Sequence, residues 1–303
     1  MIHPIDAVRL GLDGDHSCNP AHPWCGAPNQ SSSARAQWEE CWDDDNLDFS
    51  APNLVASLPP CILNLTAREK LPNGNRARVV AAKASDIGGI LSSDPTRVSE
   101  WSSRFGIPQS CLVVVHQESQ DLMQEKFAIR ACDPHFWKLF KLVARNVLLV
   151  GPGYSVYDDG TMCTVRQTLN LRRSLLEAAK ANRAGLSAVP TFGWNKDRPQ
   201  DLEFLAAWLR RQRGLVRTVA VNAQTGTHST AIVTELGRGI VEIERLAGAS
   251  YQWLVFGGQK RIESLCEFLP RARITQVSRR KDFQQPIIGR SGALRVQYRL
   301  DLA

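Results

Sequence analysis

The chain has 303 residues, of which 43% are hydrophobic and 22% charged, and its formal net charge is +7 at pH 7. A chain of this length can bury a substantial core in one large α/β domain or in two smaller ones. It has no run of about 18 uncharged apolar residues that would cross a bilayer, and its first residues, MIHPIDAVRLGLDGDH, lack the apolar centre of a signal peptide. These features argue against a membrane or secreted protein, so we expect a cytoplasmic protein with no membrane partner.

The first 60 residues are rich in Ser, Asn, Asp, Pro and Trp and predict an irregular N-terminal extension. Its three tryptophans, Trp24, Trp38 and Trp42, argue against disorder, so we expect residues 1–60 to pack on the main domain. Four potential zinc ligands occur within ten residues of this extension: His16, Cys18, His22 and Cys25. Their spacing matches none of the usual zinc-finger patterns, and both a metal site and an ordered loop stay open. We predict no cofactor.

From Cys61 onwards, short apolar runs alternate with segments of helical period. The runs in chain order are CILNL, ARVVAA, CLVVVH, NVLLVGP, LSAVPTF, VRTVAVN, YQWLVFG and RITQVS. Strands that are apolar throughout are those buried on both faces, which is typical of parallel sheets covered by helices. About eight βα units without a Gly-rich nucleotide fingerprint favour a (β/α)8 TIM-barrel-like single domain over residues 61–303 rather than an open doubly wound sheet.

In such a barrel, the residues that end each strand face one common mouth. The fourth run ends in GPGYSVYDDG, where glycines permit a tight turn or close approach, tyrosines supply flat faces and aspartates supply carboxylates. Alternatively, Asp158 and Asp159 only form a turn and cap the helix that begins near Cys163. His116 and His228 are candidate acid–base groups or structural residues.

The polar and aromatic residues at this mouth fit the recognition of a planar heterocycle. Amides present a donor and an acceptor to a base edge, and aromatic rings stack on its face. A carboxylate near the sugar can stabilise an oxocarbenium-like centre, attack it or activate water. The candidate catalytic carboxylates are Glu118, Asp158 and Asp159. The candidate substrate-binding residues are Tyr154, Tyr157, Trp194, Asn195, Asn222, Gln224 and Gln259.

The positive charge is concentrated near the C-terminus. Residues 258–299 contain ten Lys and Arg against three Asp and Glu. The net charge of this segment is therefore equal to that of the whole chain. Enzymes that act on a base within DNA extract it from the stack, and SRRKDFQQPIIGRSG offers phosphate contacts together with Phe283 or Ile287 to fill the gap. The alternative is a surface tail that closes the bottom of the barrel. The candidate DNA-backbone contacts are Lys260, Arg261, Arg279, Arg280 and Lys281. A second basic cluster consists of Arg210, Arg211, Arg213 and Arg217.

The stretch from CLVVVHQE to TFGW resembles an uncharacterised family of bacterial and phage proteins. That family carries a strand ending in Pro-Asp-Phe-Ser-Leu-Tyr, a helix with an Asn then an Arg, and a strand reading Val-Ile-Pro-Thr followed by Trp. The matching residues are Pro152, Tyr154, Ser155, Tyr157, Asn170, Arg172 or Arg173, Pro190, Thr191 and Trp194. Gly153 stands where the family has its aspartate, so any role of that carboxylate passes to Asp158, Asp159 or Glu118, or is absent.

More loosely, the barrel order and polar strand ends are similar to tRNA-guanine transglycosylases and their DNA-directed relatives from phage and anti-phage loci. This resemblance implies chemistry at the N-glycosidic bond of a base. The transglycosylase zinc cluster is missing, since only Cys266 lies near the C-terminus, and GPGYS only echoes the Asp-Ser-Gly-Gly-Phe motif of that family. Hydrolysis without an incoming base is therefore at least as well supported as base exchange.

The sequence thus predicts a DNA glycosylase that flips a modified nucleobase into the barrel mouth and cleaves its N-glycosidic bond, in anti-phage defence or phage DNA modification. Two other classes stay open. One is a non-catalytic nucleic-acid-binding protein with a degenerate barrel. The other is a small-molecule barrel hydrolase or lyase.

Overall fold

A computed structural model describes most of the chain after the N-terminal extension. The described residues are 37, 40–53, 58–66, 78–117, 121–154, 156, 164–223, 230–279, 284–288 and 294–298. Residues 40–53 contact the main domain: the Phe49 backbone N–H donates to Gln212 Oε1 (2.9 Å), and Trp208 Nε1 donates to the Leu47 carbonyl (3.1 Å).

Nine parallel strands form one sheet. Their bounds are β1 Cys61–Leu65, β2 Val79–Lys83, β3 Leu112–His116, β4 Asn146–Val150, β5 Ser187–Val189, β6 Thr191–Phe192, β7 Thr218–Asn222, β8 Gln252–Phe256 and β9 Ile274–Arg279. The order across the sheet is β5-β4-β3-β2-β1-β9-β8-β7-β6. A separate antiparallel pair contains β10 Gln284–Ile288 and β11 Leu294–Tyr298.

The two edges of the nine-stranded sheet meet at Pro190. β5 pairs with β4 and β6 pairs with β7, and only this proline separates β5 from β6 in the chain. The Val189 carbonyl accepts from the Gly151 backbone N–H (2.9 Å), and the Pro190 carbonyl accepts from the Ala220 backbone N–H (2.8 Å). The sheet is therefore a nearly closed barrel, which confirms the prediction of a barrel-like α/β fold.

Seven α-helices lie within the described ranges and connect successive strands. They are α1 Pro95–Phe105, α2 Asp121–Ala131, α3 Phe136–Val143, α4 Thr164–Arg183, α5 Pro199–Arg211, α6 Thr230–Ala247 and α7 Gln259–Leu265. The side chain of Asp94 caps α1 by accepting from the backbone N–H groups of Thr96 and Arg97 (both 3.1 Å). Gly185 (φ 77°) and Gly214 (φ 86°) follow α4 and α5 in the left-handed conformation that ends many helices. None of the helices in the described ranges is long and apolar enough to span a membrane.

The strands separate two apolar layers, which explains why their sequences do not alternate between apolar and polar residues. Alternate strand residues line the barrel interior, among them Ile62, Ala81, Val114 and Ala220. The intervening residues pack against the helices in a larger outer core that includes the fully buried Trp208. Both strand faces are thus removed from water, as in parallel sheets covered by helices.

Candidate functional site

Polar side chains face the barrel interior at the carboxyl ends of four strands. Each lies two residues beyond an apolar residue of the interior layer and therefore points to the same side of its strand. We call these side chains and the adjacent Phe256 ring the mouth cluster. Its members are Asn64 on β1, Lys83 on β2, His116 on β3, Asn222 on β7 and Phe256 on β8. A polar layer above an apolar floor is where parallel barrels place their chemistry.

His116 is the most buried polar member of the mouth cluster, with no exposed surface. Its Nε2 lies 3.0 Å from Asn64 Oδ1, and its ring centroid lies 4.8 Å from that of Phe256. Burial, together with the positive charge of Lys83, lowers the pKa of His116 to about 3. The imidazole is therefore neutral at neutral pH, and with Oδ1 as the acceptor its Nε2 carries the ring proton.

Lys83 is the cation of the mouth cluster. It is the cross-strand neighbour of His116 in the β2–β3 pair. Its side chain is half-buried. Its ammonium group makes no hydrogen bond or ion pair with any residue that the structure describes. Half-buried charges without a partner are costly, so this ammonium is a candidate for ligand binding.

Several predicted site residues lie outside the described residues, and their roles stay predictions. The carboxylates are Glu118, Asp158 and Asp159, and the remaining predicted site residues are Tyr157, Gln224, Arg280 and Lys281. His228 and the four potential zinc ligands His16, Cys18, His22 and Cys25 also fall there. Within the described part of the chain, no group of three or more His, Cys, Asp or Glu side chains is arranged to hold a metal ion.

Tyr154 follows β4 but its ring is enclosed between helices. The residue is 6% exposed, and the Arg173 guanidinium lies 4.0 Å from the ring centroid. Burial raises the pKa of the Tyr154 phenol well above 10. Since Arg173 already covers one face of the ring, Tyr154 offers a stacking surface only if this contact opens.

Gly151, which begins the same turn, shows why glycine follows β4. A Cβ at this position would lie 3.2 Å from both Ala178 Cβ and the Ser174 carbonyl of α4. The glycine thus permits a close approach of the helix to the strand, as the GPGYSVYDDG stretch predicted. Helix α4 is thereby held against the end of β4, beside the barrel mouth.

Trp194 and Asn195 follow β6, and both contact helices outside the sheet. An ideal Cβ on Gly239 of α6 would lie 2.3 Å from Trp194 Cζ2, so the indole packs directly on that helix. Asn195 is buried and its Nδ2 donates to Gln167 Oε1 (2.9 Å). Their predicted contacts with a base therefore require rearrangement of these helix contacts.

Gly239→Ala is expected to lower the free energy of unfolding by about 1–3 kcal/mol, because the added methyl group would overlap the Trp194 indole. Urea unfolding measures the change. Gly88→Ala is the matched control, since a Cβ at Gly88 meets no atom within 4 Å. Equal unfolding midpoints for the two variants would show that Trp194 does not pack on α6 as described.

Three of the predicted DNA-backbone residues lie at the mouth edge of the barrel. Lys260 is exposed and Arg261 half-exposed in the first turn of α7, directly after β8. Arg279 ends β9, where its backbone is register partner to Asn64 of the mouth cluster. Gln259, a predicted base reader, is also exposed there and donates to Glu263 Oε1 (3.1 Å).

The second basic cluster lies at the opposite end of the barrel. Arg210 and Arg211 end α5, and Arg213 and Arg217 lie between α5 and the amino end of β7. The same end of the barrel has a cleft of about 580 Å³. Its lining includes Lys141, Arg145, Asn146 and Ser187. A base held at the mouth would be remote from these charges.

A buried polar network, which sequence reasoning missed, joins α4 to α2 and to Gln37. Arg173 donates to both carboxylate oxygens of Glu125 (2.7 Å each) and to Gln37 Oε1, and Gln37 Nε2 donates to Glu177 Oε1 (2.6 Å). We call Gln37, Glu125, Arg173 and Glu177 the α4 network. Burial raises the pKa of Glu177 to about 7, although Lys180 and Arg173 oppose the shift. The four-residue spacing of Arg173 and Glu177 was the available signal, but exposed helix faces show the same spacing.

Comparison of the chain with known protein families, with curated proteins and with solved structures finds no match. The two resemblances, one inferred from sequence motifs and the other from the barrel order and polar strand ends, therefore stay expectations. The fold and the mouth cluster are the observations from which a function is proposed.

Proposed function

We propose that the chain is a (β/α)8 TIM barrel in which β5 and β6 count as one strand interrupted at Pro190. Eight strands then follow one another around the barrel in chain order, because β9 pairs with β1. In barrels of this kind the active site lies at the carboxyl ends of the strands. The mouth cluster lies at those ends.

We further propose that the protein is a cytoplasmic enzyme that binds DNA, takes a nucleobase into the mouth and hydrolyses its N-glycosidic bond. The observation that carries this proposal is the mouth cluster itself. Its amides can bind a base edge, and Phe256 forms part of its apolar wall beneath them. In hydrolysis, water attacks C1′, the C1′–N bond breaks with its electron pair leaving on the base, and one proton from water is transferred to the base.

The neutral state of His116 limits which groups can move that proton. A pKa of about 3 leaves His116 without a proton to donate as an imidazolium at neutral pH. The predicted carboxylates Glu118, Asp158 and Asp159 therefore stay the candidates for activating water or stabilising the sugar cation. The modified bases of phage DNA are the proposed substrates, which places the activity in phage DNA modification or anti-phage defence.

DNA binding is expected to depend on the mouth edge rather than on the opposite end of the barrel. Reversing the charge of Lys260 and Arg261 together is expected to weaken binding and to lower the dependence of log K on log salt by about 2, one per lost phosphate contact. Binding isotherms at several salt concentrations measure both quantities.

The pair Arg213→Glu and Arg217→Glu is the matched control, because it makes the same charge change at the amino ends of the strands. It is expected to leave the salt dependence nearly unchanged. If the control pair abolished binding while the mouth-edge pair did not, DNA would bind at the wrong end of the barrel for the proposed reaction.

Cleavage is tested by incubating DNA with the protein and scoring abasic sites as alkali-labile breaks. We expect breaks with the native protein and none with Asp159→Asn, whose fold is checked by circular dichroism. Bound DNA without abasic sites would favour a non-catalytic nucleic-acid-binding protein. Unchanged activity of Asp159→Asn would remove this residue from the catalytic set.

A small-molecule barrel hydrolase or lyase is the second candidate, and Lys83 is the observation that favours it. A half-buried ammonium beside amide groups is suited to a phosphate-bearing metabolite. Binding of such a ligand would show little of the steep salt dependence expected for DNA.

A further inference from the structure

Two donor groups of the mouth cluster have no acceptor among the described residues, and they lie on neighbouring strands. Lys83 Nζ is on β2, and Asn64 Nδ2 is on β1, which pairs with β2 in parallel. The Asn64 amide is oriented by His116, because Oδ1 is taken by the imidazole Nε2. The Nδ2 group is therefore the part of this amide that a ligand can use.

The other described members of the mouth cluster carry no negative charge. His116 is neutral, Phe256 is apolar, and the layer beneath consists of Ile62, Ala81, Val114 and other aliphatic side chains. The described part of the cluster thus carries one positive charge in a region of reduced dielectric constant. An ammonium in such a region is stabilised by an anion more strongly than it would be in water.

We propose that the mouth cluster binds an oxyanion of the ligand, a carboxylate or a phosphate, through Lys83 Nζ and Asn64 Nδ2. This inference rests on the proposed function and narrows its substrate to a nucleobase or nucleotide that carries an anionic group. Several N–H donors converging on oxygen acceptors form the short charge-assisted hydrogen bonds by which proteins hold such groups. Neutral His116 contributes by fixing the Asn64 amide without adding a second positive charge.

The experiment measures binding by calorimetry with four probes: 5-carboxy-2′-deoxycytidine, 2′-deoxycytidine, acetate and inorganic phosphate. The native protein is expected to bind the carboxylated nucleoside at least about tenfold more tightly than the neutral one, the gain of a single charge-assisted contact. Lys83→Met is expected to remove this preference. Lys138→Met, at an exposed position of α3, is the matched control and is expected to keep it.

Lys83→Gln provides a second variant with a polar side chain, in case methionine disturbs folding, and thermal unfolding checks both. A preference that survives in folded Lys83→Met and Lys83→Gln would overturn the inference. Equal affinity of the native protein for the two nucleosides, together with no Lys83-dependent binding of acetate or phosphate, would also overturn it. Binding of acetate or phosphate that depends on Lys83, without preference between the nucleosides, would support the anion site but assign it to a small ligand.

These binding measurements need no bond cleavage, so they separate this inference from the proposed activity. A Lys83-dependent preference for the anionic nucleoside in a protein that makes no abasic sites would retain the anion site and contradict the glycosylase proposal. Abasic sites made equally well by Lys83→Met would retain the glycosylase proposal and contradict the anion site.

Discussion

Arg173→Met is expected to lower the free energy of unfolding by about 2–3 kcal/mol, the contribution of hydrogen bonds that join charged groups. Arg173 is 3% exposed, and its guanidinium contacts Glu125, Gln37 and the Tyr154 ring at once. Methionine retains part of the side-chain volume but removes the Arg173 N–H groups that donate to the Glu125 carboxylate and to Gln37 Oε1. Equilibrium unfolding in urea measures the difference.

Arg238→Met is the control for this prediction, since Arg238 and Glu235 form a surface ion pair with side chains 66% and 43% exposed. Surface pairs contribute little, so we expect a nearly unchanged midpoint. If both variants lost similar free energy of unfolding, Arg173 would not make the contacts of the α4 network.

The second large effect concerns the pH dependence of stability, to which Glu177 and His116 contribute with opposite signs. Burial raises the pKa of Glu177 from 4.5 to about 7. The contribution of Glu177 to the free energy of unfolding therefore falls as pH rises between these values, by about 3 kcal/mol in total. Burial and Lys83 lower the pKa of His116 from 6.5 to about 3, so its contribution falls as pH drops below 6.5. Around pH 5–6 the two slopes nearly cancel.

Glu177→Gln should remove the Glu177 slope, and this can be measured as a difference from the native protein. The free energy of unfolding of the variant minus that of the native protein is expected to rise by about 3 kcal/mol from about pH 4.5 to about pH 8. The charged groups that act on Glu177 are Lys180, Arg173, Glu40 and Glu125, and they are unchanged in the variant.

His116→Gln is expected to give a difference that changes in the opposite direction, rising by about 2 kcal/mol as pH falls from 6.5 to about 4.5. If the difference stayed constant with pH for either variant, the replaced side chain, Glu177 or His116, would not be buried in its neutral form.

The sequence predicted the repeating strands and helices because each strand is apolar on both faces, a pattern that is readable without tertiary information. The run NVLLVGP, for example, contains β4. LSAVPTF was predicted as one strand but is observed as β5 and β6. Pro190 has no N–H to donate, so the pairing changes from β4 to β7 at this residue.

The site was harder to predict, because the side of the strand on which a residue lies depends on register. The sequence predicted His116 and Asn222 at strand ends, where they are observed, but it could not show that Trp194 packs on α6. Lys83 was missed because ARVVAA was taken to end one residue earlier. Asn64 was not selected, since one asparagine in CILNL gives no sign of its bond to His116 until β1 and β3 are placed together.

Release of a base from DNA at the barrel mouth is the central proposal for this protein. Mass spectrometry of small molecules released from modified and unmodified phage DNA tests it most directly. We predict a free base in amounts equal to the abasic sites formed, and none with Asp159→Asn. DNA that is bound at the mouth edge but releases no base under any condition would contradict the claim.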